Sequence, residues 1–329
     1  MKKTAEILLS VLLALILSVM AVSCNGTDKN NQTPEKINIA TLSGTTGFGM
    51  AKLISDSKNS QSQLNYSIEV QTDPSLIQAA LISGGLDIAT LPTNAAANLY
   101  AKTNGGIKIL ATNTLGVLYV VVNEANSDIK SLSDLDGKTV FCPAQNPTFI
   151  FKGLCDKAGV NVKVDNTYAQ PADLRTAIIA GQADIAILPE PMVTIAISAN
   201  KSLTAALDIT AEWDKVFPEG SLVQGCVVAR TEFIEQYPEA VEKFLTEYRA
   251  SVNYVNQNTG DAARLIAETG IFDNENIAKT AIPKCNIKYV DGDEMAAALD
   301  LFFSTLYDID PKAVGGSVPS ADIYYRLND

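Results

Sequence analysis

The 329-residue chain is 47% hydrophobic and 19% charged, the usage of a globular protein with room for two domains. Lys plus Arg number 25 against 37 Asp plus Glu, a net charge of -12, which argues against a basic face for a phosphate backbone and so against nucleic acid as a partner. The chain has no histidine, which excludes Ser/His/Asp and Cys/His catalytic sets, histidine-containing zinc sites and haem on a proximal histidine. No two cysteines have CxxC spacing, so neither a metal nor another cofactor is expected.

Lys2 and Lys3 precede an apolar run from Ile7 to Val22, the pattern of an export signal. The run ends in Ala21-Val22-Ser23-Cys24, which resembles the bacterial lipoprotein signal, although leucine is commoner where Ala21 stands. That resemblance implies a signal peptide over 1–23, lipidation of Cys24 and a membrane-anchored extracytoplasmic protein. The polar segment that follows, to Glu35, reads as a flexible tether over 24–35. Cys142, Cys155, Cys226 and Cys285 are too sparse for a disulfide framework and read mostly as buried thiols, with a Cys142–Cys155 pairing left open by their spacing.

In the body, Ile37 to Leu42 reads as a strand entering the small-residue loop Ser43 to Gly49. The segment from Pro74 (PSLIQAALISGGLDIATLP) aligns without a gap with that from Pro171 (PADLRTAIIAGQADIAILP), and nine identities recur 97 positions apart, among them Asp87/Asp184 and Pro92/Pro189. In each copy proline opens a helix, Gly84 or Gly181 closes it, and Asp-Ile-Ala leads into a short apolar strand. Lys138 to Cys142 repeats the earlier strand, so the chain holds two similar α/β lobes with parallel strands and helices on both faces. Val117 to Val122 and Gln224 to Ala229 are the expected crossings, which gives lobe 1 residues 36–118 plus 227–329 and lobe 2 residues 119–226. Beyond them Tyr237, Val241, Phe244, Tyr248, Val252 and Val255, then Met295, Leu299, Phe302 and Leu306, are spaced as helices, expected to pack back onto the first lobe.

The lipobox-like Ala21 to Cys24, the Ser43 to Gly49 loop, the paired Asp-Ile-Ala units, Leu188-Pro189-Glu190-Pro191 and the late Tyr324-Tyr325, in that order, resemble the substrate-binding lipoproteins of ABC transporters, in the family that serves nitrate, sulfonate, taurine and thiamine-precursor uptake. The resemblance covers nearly the whole chain after the signal. It implies a type II periplasmic-binding-protein fold, a hinge closing over one small-molecule ligand, delivery to permease subunits, and a monomer.

Ligands of such sheets bind at strand carboxyl ends, where free N–H groups and small side chains permit close approach. The candidate contacts are therefore Ser43, Gly44, Thr45, Thr46, Gly47, Phe48, Thr93, Asn94, Asn113 and Thr114 from the first lobe, and Gln145, Asn146, Thr148 and Glu190 from the second. Each has a plainer use: the glycines as turn residues, Thr93, Asn94, Asn146 and Thr148 as helix caps, and Glu190 as a solvated turn residue; Phe48, Tyr119 and Phe149 are either rings that stack on a planar ligand or core rings. None of the five arginines lies in these loops, so an arginine clamp on an anion is not expected; helix N-termini with Lys52 or Lys152, each one turn into its helix, leave another way to hold one. A neutral or weakly basic heterocycle, such as an aminopyrimidine, fits these polar loops better than a sulfonate, taurine or nitrate, which form the alternative. A sensor contacting a receptor instead of a permease has the same sequence signature. An enzyme would have to use Cys142 as a nucleophile at a helix N-terminus, with no base nearby in sequence.

Overall fold

The structure is a computed structural model that describes residues 33–326. The expected signal peptide, Cys24 and most of the tether lie outside the described residues, among which no helix is long and apolar enough to cross a membrane.

Two sheets carry the architecture. The first, in spatial order, consists of β11 (Ile287–Val290), β4 (Ile107–Leu115), β10 (Val223–Arg230), β3 (Ile88–Pro92), β1 (Ile37–Leu42) and β2 (Tyr66–Gln71). The second consists of β7 (Lys163–Asp165), β6 (Thr139–Phe141), β8 (Ile185–Pro189), β5 (Leu118–Val122) and β9 (Thr204–Asp208). In both, three parallel strands are followed by one antiparallel strand that arrives from the other lobe: β10 beside β3, and β5 beside β8. The duplication seen in the sequence is thus a duplicated topology, and each sheet is completed by a strand delivered from its neighbour.

This pairing sets where the chain changes lobes. Leu118 already pairs with Pro189 in the second sheet, and Val223 with Leu115 in the first. The segment 223–226, assigned from sequence to lobe 2, therefore belongs to the first sheet, and Leu118 to the second. The expected crossing strands are the first strands of the newly entered lobe. The links themselves are Gly116-Val117 and the stretch from the helix Ile209–Trp213 to Leu222.

The repeat units fold as their punctuation dictates. Asp73 accepts from the Ser75 N–H at 2.8 Å ahead of the helix Pro74–Ser83, and Gly84 ends it at φ +78°. In the second copy the helix Pro171–Ile179 has no side-chain cap, and Gly181 takes the left-handed position. The repeated aspartates work at the far end of each sheet: Asp87 accepts from Asn38 N–H and pairs with Arg230 at 2.9 Å, while Asp184 accepts from the Asn123 amide at 2.7 Å.

The long helix Pro238–Gln257 packs on lobe 1, its Phe244 edge-on to Tyr66 and its Ser251 hydroxyl donating to Gly49 O at 2.6 Å. The last helix, Gly292–Ile309, departs from expectation because it also touches the other lobe. Phe302 meets Trp213 edge to face at 6.2 Å, and Ile309 and Thr305 fill the space a side chain at Gly153 would take. One apolar cluster consequently runs from Ile77 and Leu99 through Trp213 to Val140 and Phe151, tying the backs of the lobes together.

Candidate functional site

At the carboxyl end of β1 the chain turns through Ser43 and Gly44 into a four-residue helix, Thr45–Phe48. Ser43 N–H donates to Gln71 O and Gly44 N–H to Ile271 O, so those two backbone donors are already spent. Gly44 sits at φ +81°, and Gly47 lies so close to β1 that a Cβ there would stand 1.9 Å from Leu42 O. Thr45 and Thr46 are half-buried. Phe48 is not a wall of the cleft: its side chain is fully buried in the lobe-1 core beside Phe272, which is where an aromatic one turn into a helix finds most apolar contact.

Asn113 and Thr114 lie within β4 and not in a loop. Their polarity disguised the strand. The structure accommodates it because Thr114 Oγ1 donates to Asn113 Oδ1 at 3.0 Å and Asn113 Nδ2 donates to Thr46 O at 3.0 Å. Both residues thereby brace the glycine loop from below, next to the buried Tyr248 hydroxyl, which the helical spacing had presented only as core.

Thr93 and Asn94 open the helix Thr93–Thr103 directly after β3, and neither side chain caps it. Thr93 Oγ1 is buried beside the Cys226 thiol without a hydrogen bond of ordinary geometry, and Asn94 Oδ1 is buried with no partner. In lobe 2, Asn146 opens the helix Asn146–Ala158 after β6, and its Oδ1 is likewise buried and unpartnered. Such orphans are uncommon in folded proteins, since an unsatisfied buried acceptor costs about 1–3 kcal/mol. Three of the four unpartnered buried side-chain atoms among the described residues belong to candidate ligand residues, and they come from both lobes.

Gln145 is exposed with φ +63° and caps nothing through its side chain. Thr148 is spent internally: its hydroxyl donates to Pro143 O at 2.7 Å and accepts from Asn166 Nδ2 at 2.8 Å, while Asn166 also donates to Cys142 O. Asn166, which sequence reasoning passed over, therefore holds the loop after β6 in shape. Phe149 is half-buried against the lobe-2 core.

Glu190 departs most from its expected role. Its carboxylate is buried and turned into its own helix, Met192–Ala199, accepting from Thr194 N–H at 3.1 Å and Thr194 Oγ1 at 2.9 Å. The cause is local: a carboxylate ahead of a helix meets free N–H groups before it meets anything else. The Glu190-Pro191 peptide is cis. Burial pushes the carboxyl above its ordinary range, with the Thr194 bonds and the Lys284 ammonium 3.9 Å away pulling it back down. A proton is thus held more tightly in the folded state, so this group's contribution to stability is present at low pH and is lost as pH rises through the raised folded value. Glu190→Gln should gain stability over the native chain at pH 7.5 and not at pH 4, by urea unfolding; an equal offset at both would show that the carboxylate is not destabilised by burial.

Cys142 does not have the features of a nucleophile: it is buried, and desolvation pushes its thiol up to about 12, far from a thiolate at neutral pH. Among the described residues no group of three or more Cys, Asp or Glu is placed to hold a metal ion. Lys52 and four of the five arginines are committed to carboxylates, while Arg175 donates from Nη1 to Met192 Sδ at 3.4 Å. Lys52 pairs with Asp56, and Arg230, Arg249, Arg264 and Arg326 pair with Asp87, Asp291, Asp261 and Asp293.

Two similar α/β lobes, each completed by a strand from the other and joined by two links, define the periplasmic-binding-protein fold of type II. An ABC transporter structure from Parabacteroides distasonis is similar with a TM-score of 0.75 at 24% identity, over 89% of this chain and 99% of that one. The periplasmic aliphatic sulphonate binding protein SsuA from Escherichia coli follows at 0.70 and 17%, over 89% and 93%, and a Candida albicans protein described as having the generic periplasmic binding protein fold at 0.53 and 14%, over 88% and 93%. No curated protein sequence matches. The family model described as NMT1/THI5 like matches residues 60–262, and the chain belongs to that family.

Proposed function

We propose that the protein is the extracytoplasmic solute-binding component of an ABC importer, anchored through lipid on Cys24 after removal of residues 1–23, working as a monomer without catalysis, and handing a small solute to permease subunits. The observation that carries the reading is the pair of buried, unpartnered amide oxygens at Asn94 and Asn146, one from each lobe and each at the head of a helix that follows a parallel strand. The family membership and the export-type N-terminus support the transport context.

The same atoms bear on ligand chemistry. Amide oxygens accept hydrogen bonds, so the solute that satisfies them must donate: an aminopyrimidine-like or related N–H-bearing heterocycle has such donors. A sulfonate or nitrate offers only acceptors, which suit the amide nitrogens but satisfy neither oxygen, and four of the five arginines are already paired with carboxylates. The fold neighbour described as a sulphonate binding protein is the reason to keep sulfonates and taurine in the test.

Thermal unfolding of the full chain with aminopyrimidines, other vitamin-like heterocycles, alkyl sulfonates, taurine and nitrate decides between them. A ligand at a hundred times its Kd adds about 2.7 kcal/mol. The expected result is a raised midpoint with an N–H-bearing heterocycle alone. A shift confined to sulfonates would overturn the ligand class, and no shift with any solute would count against the binding role.

A further inference from the structure

We propose that Tyr119 and Lys284 form a clasp across the cleft that holds the lobes together before a solute arrives. The inference rests on the solute-binding reading for its purpose but not for its geometry. Lys284 lies in the turn between the helix Glu275–Ala281 and β11, on lobe 1, whereas Tyr119 and Glu190 belong to β5 and the end of β8, on lobe 2. The Tyr119 hydroxyl donates to Lys284 O at 3.0 Å, and Lys284 Nζ lies 3.9 Å from the buried Glu190 carboxylate. Beside this contact the helix Glu275–Ala281 lies against Met192–Ala199.

Two residues further on, the same turn grips the hinge. Asn286, at φ +42°, a conformation asparagine tolerates better than most residues, donates from Nδ2 to Gly116 O at 2.6 Å and reaches Thr210 Oγ1 at 3.5 Å. Those partners sit on the two links between lobes, which Gln224 also ties, its Oε1 accepting from Val117 N–H at 2.7 Å. One short turn therefore touches the far lobe and both hinge links, so the far lobe cannot swing away without breaking its contacts.

The consequence is a closed fraction that exists without ligand. Apparent affinity is the intrinsic affinity scaled by the fraction of molecules in the binding-competent form, so a clasp that raises that fraction tightens capture without touching the solute. A nearly buried phenol hydrogen bond and one ion pair whose lysine is 45% exposed together shift such an equilibrium about tenfold, with the phenol supplying most of it because the exposed ammonium is screened.

The test is made without ligand. Spin labels on Thr72→Cys and Ala169→Cys, exposed and equivalent positions of the two repeats, report lobe separation in the full chain carrying Cys24→Ser. The expected result is a shift to longer separations in Tyr119→Phe/Lys284→Met, a smaller shift in each single variant, and none in Lys201→Met, which removes a charge elsewhere on lobe 2. An unchanged distribution in the double variant overturns the clasp. Should that variant fail to fold, Tyr119→Phe alone, which removes only the hydroxyl that donates to Lys284 O, decides by the same readout. Failure of the ligand panel with a positive separation shift would sink only the solute reading.

Discussion

Gly47→Ala is expected to destabilise the chain by about 3 kcal/mol or more, a fall of roughly 6–12 °C in Tm for a protein of this size. The added Cβ would stand 1.9 Å from Leu42 O, a backbone atom at the end of β1 that has nowhere to go, because the next residue's N–H is fixed to Gln71 O. The loop must therefore lift as a unit, taking Thr46 O away from Asn113 and Gly49 O away from Ser251. Gly44→Ala separates sterics from backbone strain: nothing lies within 4 Å of its would-be Cβ, so it bears only the cost of its φ of +81°, about 1–3 kcal/mol. Urea unfolding of both variants checks the order, and equal losses would show that the clash at Gly47 is relieved by a small local adjustment.

Asn146→Leu is expected to move stability and binding in opposite directions. Replacing a half-buried amide by an apolar side chain of similar size removes an unsatisfied acceptor, so the ligand-free chain should gain about 1 kcal/mol. The solute should lose one hydrogen bond and bind about tenfold more weakly or worse. Asn94→Leu should behave alike from the other lobe. Most core and loop substitutions lose both properties together, so the split is diagnostic of a site kept polar for a partner. Thermal unfolding without ligand, followed by titration calorimetry with whichever solute the panel returns, measures the two halves. A loss of stability in Asn146→Leu would mean that its oxygen is satisfied and that the residue is structural.

The lobes were legible in the sequence because their repeat carries its own punctuation: Pro74 and Pro171 start helices, Gly84 and Gly181 stop them, and the apolar runs of β3 and β8 are too short for anything but strands. β4 was not legible at its end, since Thr112-Asn113-Thr114 alternates with nothing apolar and is stabilised by partners remote in sequence. The same limit governed the site. That Thr93, Asn94 and Asn146 follow strands was legible from the repeat, and their orphaned oxygens became visible only with the packing around them. Glu190 failed as an open acceptor because Thr194, four residues away, satisfies it first. Lys284 and Asn286 had no local signal at all; their meaning lies in Tyr119 and Gly116, more than 160 residues earlier.

The four thiols of the body are all buried, and desolvation pushes those of Cys142, Cys155 and Cys226 up to about 12. Thiols held that far above neutrality stay protonated at pH 7, so alkylating reagents and oxidants meet almost no nucleophile in the folded body. In the folded state the body of this protein is in effect silent toward such reagents. Any rapid thiol reaction in the body therefore reports that one of its lobes has come apart.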